Sequence, residues 1–246
     1  MRRRRNTGAE RERGDGALTL RAAIVSDLHL GSAHCRHRAF ASFVRALPAG
    51  TTLVMNGDTV HRWHSGLPEE HVEVLELLRA ESATRRIVWL HGNHDESYDL
   101  EEPGSIEVAA SFAMGKRLFA AHGYDFDNVM PRNRTFIYTF RLLHRLRVWL
   151  GAESVHVALY AKKFPLLYRV LRRSVMMNAV EYAKENGFEA VTCGHTHYAE
   201  DTVVEGIRYI NTGSWTEEPM YFLGVTDEEM KLMRVDALPG VSGDKQ

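Results

Sequence analysis

Five short clusters of this chain hold side chains that can bind cations and move protons: Asp27-x-His29, Asp58 behind Gly57, Asn93-His94-Asp95, His122-Gly123 and His195-x-His197. On a strand, residues two apart project from one face, so Asp27 with His29, and His195 with His197, can aim two donors at one point. Glycine before Asp58 lets the loop approach a cation closely. The donors are oxygen and nitrogen with no thiolate, a set that favours Mn, Fe or Zn over the oxygen cages of Mg or Ca. Cations held by such donors lower the pKa of a bound water and offset negative charge on a bound group, the elements of metal-assisted hydrolysis.

The elements that must position these clusters are legible around them. Apolar β-rich runs at 20–25, 52–55, 86–90, 117–121 and 190–193 each end directly in one cluster. Helical spacing of apolar residues occupies 36–47 and 69–82. Strand, polar loop and helix in alternation describe an α/β domain. In such a domain functional groups gather at the carboxyl ends of strands, so the five clusters are expected to converge. Further runs at 203–205, 208–211, 221–225 and 230–235 read as strands of a second sheet. The expected fold is α/β, a two-sheet sandwich flanked by helices.

The stretch 129–187 breaks this rhythm. It reads as helices at 134–149, 154–162 and 166–186, with eleven Lys and Arg against three Glu, interleaved with large apolar residues. We expect a helical cap insertion over the site. Mixed basic and apolar helices suit a ligand with phosphate and acyl chains, or peripheral contact with an anionic membrane. A cap packed only for stability or dimerisation is the competing reading. The basic residues sit with large aliphatic residues more than with a stacking platform of aromatics, which disfavours nucleic acid as partner.

At 246 residues the chain divides into a basic, disordered tail at 1–18, one domain at 19–237 and a flexible tail at 238–246. Net charge is −1, which names no partner, and two cysteines make no disulfide framework. No apolar stretch is long enough for a membrane span, and none follows Arg2–Arg5 as a secretion signal would require. We therefore expect a cytoplasmic protein, peripheral at the inner membrane face if the cap meets lipid. Composition leaves oligomeric state open.

The order D-x-H, G-D, G-N-H-D, H-G, G-H-T-H resembles the calcineurin-like metallophosphoesterases. The resemblance implies two divalent metal ions, Mn first among the candidates, one held by Asp27, His29, Asp58 and His197, the other by Asp58, Asn93, His122 and His195. It implies that His94 assists the leaving oxygen and that Asp95 orients His94 by accepting its other ring N–H. His61, His64 and His91 stand close enough in sequence to support the site, as do Asp125 and Asp127, while Cys193 reads as core. Within the family the layout is similar to the UDP-2,3-diacylglucosamine hydrolases, through the insertion and the ending Asn211-Thr212-Gly213-Ser214-Trp215. That branch implies a lipid- or nucleotide-linked diphosphate as substrate. Here GNHD replaces its usual GNRD, and Tyr124 follows His122-Gly123 where it has Asp. A general phosphodiesterase or phosphatase with a structural cap is the alternative. A non-catalytic interaction module is a further one, to which the uneroded donor set is opposed.

Overall fold

The computed structural model describes residues 19–61, 66–96, 98–129 and 134–238. The two expected tails (apart from Leu238), His64 and Arg132 lie outside them.

Two mixed sheets face each other. The first has six strands in the order β11-β10-β1-β2-β3-β4, with β1 at Ala22–Val25, β2 at Thr52–Asn56, β3 at Ile87–Leu90, β4 at Glu107–Ala109, β10 at Tyr221–Val225 and β11 at Met230–Arg234. The second has five, β5-β6-β7-β9-β8, with β5 at Phe112–Met114, β6 at Leu118–Ala120, β7 at Ala190–Cys193, β8 at Glu200–Val204 and β9 at Ile207–Asn211. β1, β2 and β3 run parallel in register Ala22↔Thr52 and Leu53↔Ile87, and β6, β7 and β9 do likewise. Strands buried on both faces explain the continuous apolar runs in the sequence.

Alternation along each strand divides the core. Ile24, Val54, Val88, Leu118, Ile210 and Leu223 meet between the sheets. Ala23, Val25, Leu53, Met55 and Trp89 face outward onto α1 (His37–Ala46) and α2 (Glu69–Glu81) through Phe40, Phe43, Val74 and Leu78. Phe119, Val191, Cys193 and Tyr209 face the other way onto Ala179, Val180 and Ala183 of α5 (Pro165–Glu185). The four layers are helix, sheet, sheet, helix.

The late strands differ from the sequence expectation of one second sheet. β8 and β9 join β7, but β10 and β11 return to the first sheet beside β1, pairing antiparallel through Ile24↔Leu223. Alternation alone cannot say which neighbour an apolar strand selects. β4 and β5, three residues each, carry too little pattern to be read from sequence.

The helices of the insertion are α3 (Arg134–Trp149), α4 (Val157–Ala161) and α5. The C-terminal half of α5 is the outer layer on the second sheet, while its N-terminal half stands with α3 and α4 over the strand ends. Lys162 pairs with Glu217 and Arg172 with Glu200, tying these helices to the body. The Tyr168 hydroxyl donates to the Thr196 carbonyl. No helix among the described residues is long and apolar enough to cross a membrane.

Candidate metal centre

All five clusters leave the carboxyl ends of β1, β2, β3, β6 and β7, three from one sheet and two from the other, and meet in the cleft between them. The turns they occupy are unusual. Seven described non-glycine residues have left-handed backbone, and five are Asp27 (φ 56°), His29 (56°), Asp58 (51°), His195 (63°) and His197 (53°). Such conformations are uncommon for residues with a Cβ, though Asp and His tolerate them better than most. Each costs of order 1 kcal/mol and persists because the surroundings hold it. Strain confined so closely to one set of donors marks a functional site.

Two glycines allow the clusters to touch. A Cβ on Gly92 would lie 2.2 Å from Asp58 Oδ1, and one on Gly194 would lie 2.3 Å from Asp27 Oδ2. Backbone amides then orient both carboxylates. The His94 N–H donates to Asp58 Oδ1 at 2.8 Å, and the His195 N–H to Asp27 Oδ2 at 3.0 Å. Each carboxylate is left with its second oxygen aimed into the cluster.

There the donors crowd together. His197 Nε2 is 3.1 Å from Asp27 Oδ1 and 3.1 Å from His29 Nε2, and Asp27 Oδ1 has no hydrogen-bond partner although fully buried. Asp58 Oδ2 lies 3.3 Å from His122 Nε2 and 3.9 Å from both His29 Nε2 and His94 Nε2. The His122 contact is one of charge, because Nε2 has no aligned acceptor. His122 donates its Nδ1–H to the Asn56 carbonyl at 2.9 Å, which fixes the ring with Nε2 toward the cluster. Buried oxygen and nitrogen donors of Asp27, His29, Asp58, His122 and His197 converge there, Asp27 Oδ1 and His122 Nε2 without a hydrogen-bond partner, and such a set fits divalent cations. The triads Asp27–His29–His197 and Asp27–Asp58–His122 each bring three donor atoms within 4.8 Å of one another, as do His29, His61 and His94.

Asn93 and His195 sit beside this group. His195 Nδ1 faces Asn93 Oδ1 at 3.0 Å, and Nε2 donates to Asp127 Oδ2 at 2.9 Å. Asp127 is therefore the carboxylate that orients a site histidine, a role its sequence position alone could not separate from a solvated loop residue. Asp95 differs from expectation. Its Oδ1 accepts from the Gly92 N–H at 2.6 Å and its Oδ2 from the Thr59 and Val60 N–H groups at 2.7 and 3.4 Å. A carboxylate saturated by backbone amides does not orient His94; it clamps the β3 turn to the β2 loop. His94 instead packs against His61, with ring centroids 4.4 Å apart and the planes tilted by 37°. His91 reaches the Asp95 carbonyl at 3.4 Å, and Cys193 is buried core.

The electrostatics follow from burial among opposed charges. Burial pushes the His29 pKa well down, outweighing the pull of Asp58. For His122 burial also acts downward, but Asp58 and Asp27 overcome it and raise the ring to about 10. Asp58 is the counterpart: burial would raise it, yet His122, His29 and His94 hold it well below the usual carboxylate range. Burial lowers His94, against Asp58. Asp95 is raised by burial and by the charge of Asp58.

Two further parts complete the site, one whose role the sequence does not show and one it does not announce at all. Asn211–Trp215 is a strut: Asn211 Nδ2 donates to the Gly194 carbonyl at 2.7 Å, the Trp215 N–H to the Asp27 carbonyl at 3.1 Å, and Ser26 Oγ meets Thr212 Oγ1 at 2.7 Å. It locks the β1 turn against the β7 turn. From the insertion, His156 stacks on His197 at 5.0 Å and 13° and lies 5.0 Å from His29. No motif spacing announces His156. Between the cluster and α3, α4 and α5 lies a cavity of about 440 Å³ whose floor includes Asp58, Asn93 and His94.

The sequence matches the family model described as calcineurin-like phosphoesterase over residues 20–199. No curated protein matches it significantly. Among solved structures, Yfce, a phosphoesterase from E. coli, is 16% identical, covering 90% of this chain and 96% of its own, with TM-score 0.48. A conserved uncharacterized protein of Streptococcus pneumoniae TIGR4, a predicted phosphoesterase, is 16% identical over 90% and 94%, with TM-score 0.44. An archaeal phosphodiesterase is 14% identical over 87% and 98%, with TM-score 0.45.

Proposed function

The chain belongs to the calcineurin-like phosphoesterase family, a metal-dependent phosphoesterase family, and from that premise we propose that it hydrolyses a phosphoester or diphosphate bearing a long apolar group, UDP-2,3-diacylglucosamine being one such compound. The observation that carries this reading is the cavity. Its floor is the donor cluster and its walls are Phe140, Ala161, Leu167, Val170 and Leu171 from the insertion. About 440 Å³ is within the usual size of a small-molecule site, and an apolar wall beside a phosphate-binding floor suits an amphiphile.

Asp27, His29, Asp58 and His197, with Asn93, His122 and His195 on the other side, are the residues that would hold two divalent ions, of which Mn, Fe and Zn suit the donors. Bound there, the ions supply a nucleophile at neutral pH and offset phosphate charge. The chain's own residues do the rest. Backbone amides of His94 and His195 hold the carboxylates of Asp58 and Asp27 aimed. His94, held neutral by burial, stabilises the departing oxygen through an N–H hydrogen bond rather than by releasing a proton. The apolar walls keep bulk water from the reacting phosphorus.

Ten of the fifteen large apolar side chains exposed on the described surface lie between 138 and 170, among them Trp149 (79% exposed) and Leu166 (76%). Exposed Arg145, Arg169 and Arg173 intersperse them. A patch of this composition beside the cavity supports contact of the cap with an anionic lipid surface.

A series of aryl phosphodiesters with alkyl chains of increasing length, assayed with Mn²⁺ and with chelator, tests the reading. KM should fall as the chain grows, and chelator should abolish turnover. Equal kinetics for short and long chains would leave the insertion a structural element and favour a general phosphodiesterase.

A further inference from the structure

The cations of the insertion are not equivalent. Lys162 and Arg172 are spent on Glu217 and Glu200, and Arg147 donates to the Glu153 carbonyl. Solvent-exposed Arg141 has neither an ion-pair nor a hydrogen-bond partner among the described residues, yet it lines the same cavity as Asp58 and Asn93 and acts electrostatically on His94. An arginine facing a cavity without a counter-ion presents five N–H donors to whatever binds there.

His156 joins it from the same side. Its Nδ1 accepts the Ala158 N–H at 3.4 Å, the contact that begins α4. With Nδ1 serving as acceptor, the neutral ring carries its proton on Nε2. It therefore meets the cavity as a hydrogen-bond donor. The floor of the cavity offers acceptors and cation ligands; the roof offers donors.

We propose that Arg141 and His156 form a phosphoryl-binding pair on the insertion, gripping the phosphate oxygens of the substrate from the face opposite the Asp and His cluster. The proposal rests on the reading that a phosphoester occupies this cavity, but not on its apolar group. The insertion is thereby part of the binding site rather than a cover for it. A planar guanidinium matches two phosphate oxygens at once, and an imidazole N–H adds a third bond from a different direction.

Inorganic phosphate titrated calorimetrically into the Mn²⁺-loaded full chain tests the pair. Arg141→Gln and His156→Asn should each weaken phosphate binding roughly 10- to 100-fold, the size of one charge-assisted contact. Asparagine keeps a side-chain acceptor for the Ala158 N–H, so α4 is retained while the longer reach into the cavity is lost. Bound metal per chain and Tm should not change, and Arg141→Lys should recover part of the affinity. Phosphate affinity equal to wild type in both variants would overturn the proposal, as would a wild-type protein that does not bind phosphate. Loss of metal together with phosphate would move both residues into the metal centre and also refute it. If the alkyl-chain series is flat while the variants lose phosphate, the apolar reading falls and the pair stands.

Discussion

Metal loading should expel a proton, and His122 is its source. Asp58 and Asp27 raise this ring to about 10, so at pH 7 the metal-free protein holds it as imidazolium. A ligand nitrogen must be unprotonated, so a cation has to displace that proton. Three pH units correspond to about 4 kcal/mol, which is the penalty on metal affinity at pH 7 relative to pH above 10. His29 is pushed down and is already neutral, and Asp58 is already ionised, so neither adds to the count. The sign is definite: the dissociation constant should fall about tenfold for each pH unit as pH rises from 6 toward 8. In the metal-free protein the opposite holds for stability. A raised histidine stabilises the fold fully below about pH 6.5 and loses that contribution as pH climbs through about 10. Calorimetric titration with Mn²⁺ at pH 7 in buffers of different ionisation enthalpy counts the protons released. About one proton per chain is expected, falling to none in His122→Gln, where the pH dependence should flatten. No release from the wild-type chain, with an affinity independent of pH, would refute the charge state assigned to the Asp58–His122 pair.

Three other perturbations probe the architecture. Gly92→Ala places a methyl 2.2 Å from Asp58 Oδ1 and 2.3 Å from the Asp58 backbone nitrogen, and the forced displacement should lower kcat by roughly 100-fold and lower Tm as well, as steady-state kinetics and melting would show. Asp127→Asn removes the carboxylate that orients His195 and should weaken metal binding about 10- to 100-fold in a competition assay against a chelating dye. Trp215→Ala empties a fully buried site against Phe40 and Phe43 and should cost about 3–5 kcal/mol in denaturant unfolding; a loss under 1 kcal/mol would contradict the strut.

The donors were legible because each follows an apolar strand run, and parallel strands put their carboxyl ends on one side. α3 was read with its observed bounds, since sixteen residues carry enough periodicity, whereas β4 and β5, three residues long, carry almost none. The partition of β8 to β11 between sheets depends on long-range pairing such as Ile24↔Leu223, which no local pattern encodes. Asp95 is expected to orient His94 because carboxylates commonly accept the second ring N–H of a site histidine. The turn instead directs its carboxylate to the amides of Gly92 and Thr59. Asp127, Arg141 and His156 reach the site from loops and from the insertion, where spacing has no fixed relation to the cluster.

The left-handed backbone at Asp27, His29, Asp58, His195 and His197 also bears on how this fold ages in evolution. Each donor occupies a conformation that glycine adopts freely, so replacing a donor by glycine relieves strain of order 1 kcal/mol even as it removes a ligand. Once selection for turnover relaxes, drift toward a more stable and catalytically silent scaffold runs downhill. The return path, restoring a Cβ at a relaxed turn, runs uphill. This chain carries a Cβ at all five turns and holds that strain in place.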